Sequence, residues 1–122
     1  MDITISNSSD KPIYEQLFDQ ISSQIIKGEL PPEFALPPIR TMAKELKVSV
    51  ITVKKAWEEL ERLGFIYSVV GRGCFVARLT AVDIEEKKNR LVDTKMKNDL
   101  AYYKQLGLKK QDIIKAVERS YE

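Results

Sequence analysis

Four prolines crowd into the eight residues Pro31-Pro32-Glu33-Phe34-Ala35-Leu36-Pro37-Pro38, and they divide the front of this chain into segments that cannot share one helix. A proline in a helix interior removes a backbone donor and clashes with the preceding turn. The run is therefore predicted to be an extended connector whose last proline can open a new helix. Before it, apolar residues recur at Ile13, Tyr14, Leu17, Phe18, Ile21, Ile25 and Ile26 until Gly28. That spacing predicts a first helix, with Pro12 as its first residue and Ser9 or Asp10 as its cap. After the connector, Ile39, Met42, Ala43 and Leu46 mark the buried stripe of a second helix, and Lys47-Val48 a short turn. Ser49 can cap a third helix that turns Val53, Ala56, Trp57, Leu60 and Leu63 inward and ends at Gly64. Phe65 to Val70 and Cys74 to Val76 are β-prone runs around Gly71-Arg72-Gly73, which is a hairpin signal.

All five prolines, and every glycine except Gly107, lie before residue 79, and the residues beyond it are polar and helix-prone. The shift divides the 122 residues into a domain over 1–78 and a helical tail over 79–122. The expected fold class is mainly α with a small β-hairpin. No stretch approaches the roughly 18 apolar residues of a membrane span, and the opening residues lack the pattern of a signal peptide, so a cytoplasmic protein without a membrane partner is expected. There is no histidine and a single cysteine, Cys74. An internal disulfide is excluded, and the commonest acid/base catalyst and metal ligand is missing. No enzyme activity, metal or cofactor is expected. Cys74 reads as a small buried hydrophobe rather than a redox sensor, because no second Cys stands ready to pair with it.

The formal charge of +2 does not announce a nucleic-acid binder, since a value near zero steers a polyanion only where charge is segregated. Both parts of the chain are nearly balanced. Arg40, Lys44, Lys47, Lys54 and Lys55, however, face only Glu45 between residues 40 and 55. The other acids of the first domain fall outside this stretch, among them those of the first helix and Glu58, Glu59 and Glu61.

Three helices and a glycine-tipped hairpin, with a short turn between helices two and three, match the order of a winged helix-turn-helix. The stretch from Pro12 to Ala77 closely resembles the N-terminal domain of GntR-type bacterial transcription regulators. The resemblance is carried by Pro12-Ile13-Tyr14-Glu15-Gln16, Ile26-Lys27-Gly28-Glu29-Leu30, Leu36-Pro37-Pro38-Ile39-Arg40, Val48-Ser49 with Thr52-Val53, Leu60-Glu61-Arg62-Leu63-Gly64 and Gly71-Arg72-Gly73-Cys74-Phe75-Val76. The short tail and Trp57 are most similar to the YtrA branch of that family. The resemblance implies a repressor that binds a double-stranded DNA operator as a homodimer. It places recognition helix 49–63 in the major groove and wing 65–77 at the adjacent minor groove or backbone. A winged-helix module that binds protein instead of DNA is the alternative, and near-neutral charge is its best support.

A helical wheel sets Ile51, Lys54, Lys55, Glu58 and Arg62 opposite the buried stripe of the third helix. The candidate DNA-binding residues are Arg40, Ser49, Val50, Ile51, Thr52, Lys54, Lys55, Gly71, Arg72 and Gly73. Lys54 and Lys55 suit phosphates, and Ile51 suits a thymine methyl. Ser49 and Thr52 can cap the helix and touch phosphate from its positive end. Arg40 opposes the favoured sign at a helix start, which calls for an external anion, and the family has a DNA-contacting arginine at this position. Arg72 projects from the hairpin tip between glycines that permit unusual backbone angles. Three residues depart from the family pattern: Val50 stands where many members have arginine, Pro38 where serine is expected, and Ile39 where glutamate is expected. The resemblance therefore transfers neither a guanine-reading arginine nor the operator bases of the wider family.

In the tail, Val92, Met96, Leu100, Tyr103 and Leu106 form one stripe, interrupted by Asp99, and Ile113, Ile114, Val117 and Tyr121 form a second beyond Gly107. A helical hairpin of 44 residues cannot bury both stripes alone, so the tail is expected to dimerise. It leaves little room for a metabolite pocket, and no dedicated effector domain is expected.

Overall fold

The computed structural model describes residues 1–122 and divides into two compact units, Met1–Ile84 and Glu85–Glu122. Helices α1 (Ile13–Ile26), α2 (Ile39–Leu46) and α3 (Val50–Arg62) precede the antiparallel strands β1 (Ile66–Val69) and β2 (Gly73–Val76). Helices α4 (Ala81–Gln105) and α5 (Lys110–Ser120) complete the chain. The composition shift near residue 78 falls at the end of the hairpin, whereas the first unit extends into the opening turn of α4.

Helix α3 is the centre of the first unit, packing on α1, α2 and β1. Its Val53, Ala56, Trp57 and Leu60 are buried against Leu17, Phe18, Ile21 and Ile25 from α1, Met42 and Ala43 from α2, and Phe65 and Ile66 at the start of the hairpin. Each large side chain buried in this way contributes roughly 1.5–3 kcal/mol. Phe18 and Phe65 meet edge to face with ring centroids 6.1 Å apart. Leu63, expected on the buried stripe, is half-buried because it is the C-cap residue, where the helix has already ended.

Both helix-opening prolines stand one residue further out than the sequence pattern suggests. Pro12 and Pro38 are extended, with ψ of 147° and 146°, and act as N-cap positions rather than first helical residues. A proline side chain accepts no hydrogen bond, so the caps are made by carbonyls: Pro12 O accepts from the N–H groups of Glu15 and Gln16, both at 3.1 Å. Ser9 does not cap α1; its hydroxyl accepts the Lys11 N–H at 3.1 Å. The proline-rich connector is not extended throughout: it opens with a turn in which the Phe34 N–H donates to Pro31 O at 3.1 Å and Glu33 has φ +70°, and from Phe34 onward it is extended along the free edge of β2. Glu33 N–H donates to Val76 O at 2.8 Å, Val76 N–H to Phe34 O at 2.9 Å and Leu36 N–H to Cys74 O at 2.9 Å, around an antiparallel bridge between Ala35 and Phe75. Pairing on that edge removes an aggregation-prone strand margin.

In the second unit, α4 and α5 join through Gly107, whose φ of +85° turns the chain. The Leu108 N–H closes this turn on Tyr103 O at 3.1 Å. The α5 start is secured by Asp112, whose carboxylate accepts the Lys109 N–H at 2.9 Å. Thr80 and Asp83 form a reciprocal cap at the start of α4, each backbone N–H donating to the other's side chain at 3.0 Å. The helical hairpin is open: α4 and α5 do not lie against each other along their lengths. Neither helix holds a buried residue, because two narrow stripes offer too little apolar surface to draw the helices together.

The N-terminal segment is fixed by a ladder of glutamines on α1 that hydrophobic periodicity does not reveal. The Gln16 amide accepts the Ser6 N–H at 2.9 Å and donates to Ser6 O and Lys11 O at 3.0 and 2.8 Å. Gln20 bonds both backbone groups of Thr4, at 2.9 and 2.7 Å, and Gln24 donates to Asp2 O at 2.7 Å. Four helical residues rise about 6 Å, and two extended residues about 6.6 Å, so a glutamine every fourth position meets every second residue of an extended arm. Gln16 is only 8% exposed, and its amide completes three bonds. At a net ~1 kcal/mol per bond, Gln16→Ala is expected to lower unfolding stability in urea by about 3 kcal/mol, whereas Gln24→Ala costs about 1 kcal/mol.

Candidate nucleic-acid interface

Three residues, 47–49, turn the chain from α2 into α3. Lys47 adopts the left-handed region with φ +57°, which costs a non-glycine residue roughly 1–2 kcal/mol, and the Val48 N–H closes the turn on Ala43 O at 3.0 Å. Ser49 is the expected cap: its hydroxyl accepts the Thr52 N–H at 3.1 Å and lies 2.8 Å from the Thr52 hydroxyl. Both candidate phosphate-binding hydroxyls are thus engaged with the helix start, and one O–H proton remains between them for an external acceptor.

The outward face of α3 begins with Ile51, which is 78% exposed, beside an exposed Val50. Lys54 is exposed and makes no ion pair. Lys55 differs from it, because its ammonium sits over the Tyr14 ring, 3.9 Å from the centroid. That cation–π contact orients Lys55 and brings an α1 side chain to the candidate interface. The sequence places Tyr14 in the apolar stripe of α1, a spacing that cannot distinguish the centre of a core from its edge. Arg62, at the far end of this face, is held by Glu59, with Nε donating to Oε2 at 3.1 Å. The same hydrogen bond lowers the Glu59 pKa from its ordinary value and raises that of Arg62.

Arg40 is the second residue of α2, exposed, with no acidic residue in the first turn to answer it. Lys44, Lys47 and Arg72 likewise have no acidic partner. The structure therefore brings Ser49 to Thr52 and Lys55 to Tyr14, while Arg40 and Arg72 stand apart on α2 and the wing.

The wing tip lies one residue earlier than expected. Strand β1 ends at Val69, and the Arg72 N–H donates to Val69 O at 2.9 Å across a tight turn through Val70 and Gly71. Gly71 has φ +77° and Gly73 φ +105°, values that side-chain-bearing residues resist. Gly73 opens β2, so the tip residues are Val70, Gly71 and Arg72, and Val70 is fully exposed. From sequence Val70 reads as strand because its β-branched side chain continues the run from Phe65; the turn's demand for Gly71 at its third position ends the strand sooner. Cys74 is half-buried rather than enclosed, with Sγ 3.3 Å from the Ser68 hydroxyl, which donates to Glu61 at 2.9 Å. At the wing base the Tyr67 hydroxyl donates to Glu33, which raises the Tyr67 pKa above its usual value. Across the strands, the Tyr67 and Phe75 rings stack at 5.7 Å.

Residues 13–76 match the profile of the bacterial regulatory proteins of the gntR family. The chain belongs to the GntR family. It is 33% identical over 110 residues to the HTH-type transcriptional repressor YtrA of Bacillus subtilis, a match covering 88% of this chain and 85% of that one. Among solved structures, a GntR family transcriptional regulator from Listeria monocytogenes superposes with a TM-score of 0.67 at 30% identity, covering 94% of this chain and 98% of that one. AraR(DBD) in complex with operator ORR3 matches with a TM-score of 0.52 at 32% identity, over 63% of this chain and 93% of that one. The first of these structures covers both units, whereas the operator-bound domain corresponds to little more than the GntR winged helix. The five helices and the two-stranded wing are thus a GntR-type winged helix-turn-helix with C-terminal helices.

Proposed function

We propose that this chain is a DNA-binding transcriptional repressor of the YtrA type, acting in the cytoplasm as a homodimer on a palindromic operator. The observation that carries this reading is the division of α3: one side is sealed in the core, and the other presents Ile51 and the unpaired Lys54 at a capped helix start. In the major groove that start meets phosphates and base edges. Arg40, Lys44, Lys47 and Arg72, which lack acidic partners inside the protein, supply further phosphate contacts, and the Val70-Gly71-Arg72 tip reaches the neighbouring minor groove or backbone. The operator complex of the related AraR domain supports this use of the fold.

The tail supplies the two-fold symmetry. Met96 is 49% and Val117 54% exposed, and Val92, Leu106, Ile114 and Tyr121 are exposed as well, with Leu100, Tyr103 and Ile113 half-buried. Such stripes stay in water unless a second copy covers them. Pairing through residues 85–122 sets two α3 helices in successive major grooves, roughly 34 Å apart. This domain plan assigns 1–78 to DNA and 79–122 to dimerisation.

Two measurements test the proposal. In a salt titration of duplex binding, Lys54→Ala combined with Arg72→Ala should weaken binding to all sequences and reduce the log–log salt slope by about 0.9 for each phosphate no longer neutralised. Binding that ignores both salt and these substitutions would favour a protein-binding winged helix instead. In light scattering, Met96→Glu with Val117→Glu should convert a dimer to a monomer with unchanged helix content; an unaltered mass would remove the tail from the interface.

A further inference from the structure

The first turn of α3 carries no side chain able to read a purine by paired hydrogen bonds. Guanine is read by Arg or Lys and adenine by Asn or Gln, whereas residues 49–52 are Ser, Val, Ile and Thr. The two hydroxyls are bonded to each other, and that of Ser49 also accepts the Thr52 N–H, which leaves the pair one free proton. The first cation further along this face is Lys54, which has no partner, and Lys55 is held over Tyr14. What the helix start does present is aliphatic: Ile51, 78% exposed and about 180° from the core direction, with Val50 beside it.

On a face that carries Lys54, Lys55, Glu58 and the Glu59-paired Arg62, an aliphatic group at the helix start has one apolar counterpart on a major-groove edge, the C5 methyl of thymine. Resting on the DNA-binding reading above, we infer that Ile51, assisted by Val50, is the specificity-determining contact of this regulator and selects thymine by its methyl group. The unpaired cations hold the helix on the phosphates of any sequence. The apolar pair adds a gain only where a methyl is present, because burying it against a bare pyrimidine edge removes less apolar surface from water.

The test uses the full-length protein and a pool of random-sequence duplexes, from which bound molecules are recovered and a consensus duplex is made. Each half-site thymine is then replaced in turn by deoxyuridine, which differs only by the missing methyl. Substitution at one symmetry-related thymine pair should weaken binding about tenfold, the worth of two buried methyl groups. Ile51→Ala, at an exposed position that leaves the core untouched, should bind the thymine and deoxyuridine duplexes equally while its circular dichroism stays that of the parent. Equal binding of both duplexes by the parent protein at every position overturns the inference and leaves DNA binding intact. So does discrimination that survives in Ile51→Ala. Failure to enrich any sequence, with binding insensitive to salt, overturns the DNA-binding reading and this inference with it.

Discussion

Helix α3 can offer Ile51 and two lysines to a partner only because the other side of the same 13 residues is sealed by α1, α2 and the hairpin. Val53, Ala56 and Leu60 have no exposure and Trp57 almost none. That burial fixes the rotation of the helix about its axis, and the rotation decides which side chains leave the surface. The Ser49 cap fixes where the helix starts, and the left-handed Lys47 fixes the direction from which it comes. Tyr14 extends the same logic to a single charge, since the ring that carries the Lys55 ammonium belongs to a helix packed on α3.

Features set by short-range physics were legible in the sequence. The apolar spacing of α1 and α3, the Ser49 cap and the glycine-bracketed hairpin depend on neighbours within a turn or two. Contacts between distant segments were hidden. The glutamines of α1 look like an ordinary polar face until an extended arm is laid along them, and the pairing of residues 33–36 with β2 is invisible in a proline-rich string. Val70 was hidden for another reason: its propensity favours a strand, while the turn beside it ends the strand at Val69. Periodicity identifies the amphipathic stripes of the two tail helices without saying what covers them.

The charge balance acquires a meaning from this architecture. A net +2 supplies little long-range attraction to a polyanion, so under the proposed reading recognition would rest on the cations without acidic partners between residues 40 and 54 and at Arg72, and on their repetition in a dimer. In the proposed dimer, linking two half-site contacts would multiply their effect without any new interaction.

The most direct test of α3 as the DNA-reading element is an amide chemical-shift map of the full-length protein titrated with its selected operator duplex. The largest changes are expected at Val50–Lys55, Arg40 and Val70–Gly73, with the amides of the α3 core side, Ala56 and Leu60, little altered. Changes concentrated in α4 and α5, with the α3 start unmoved, would contradict that role.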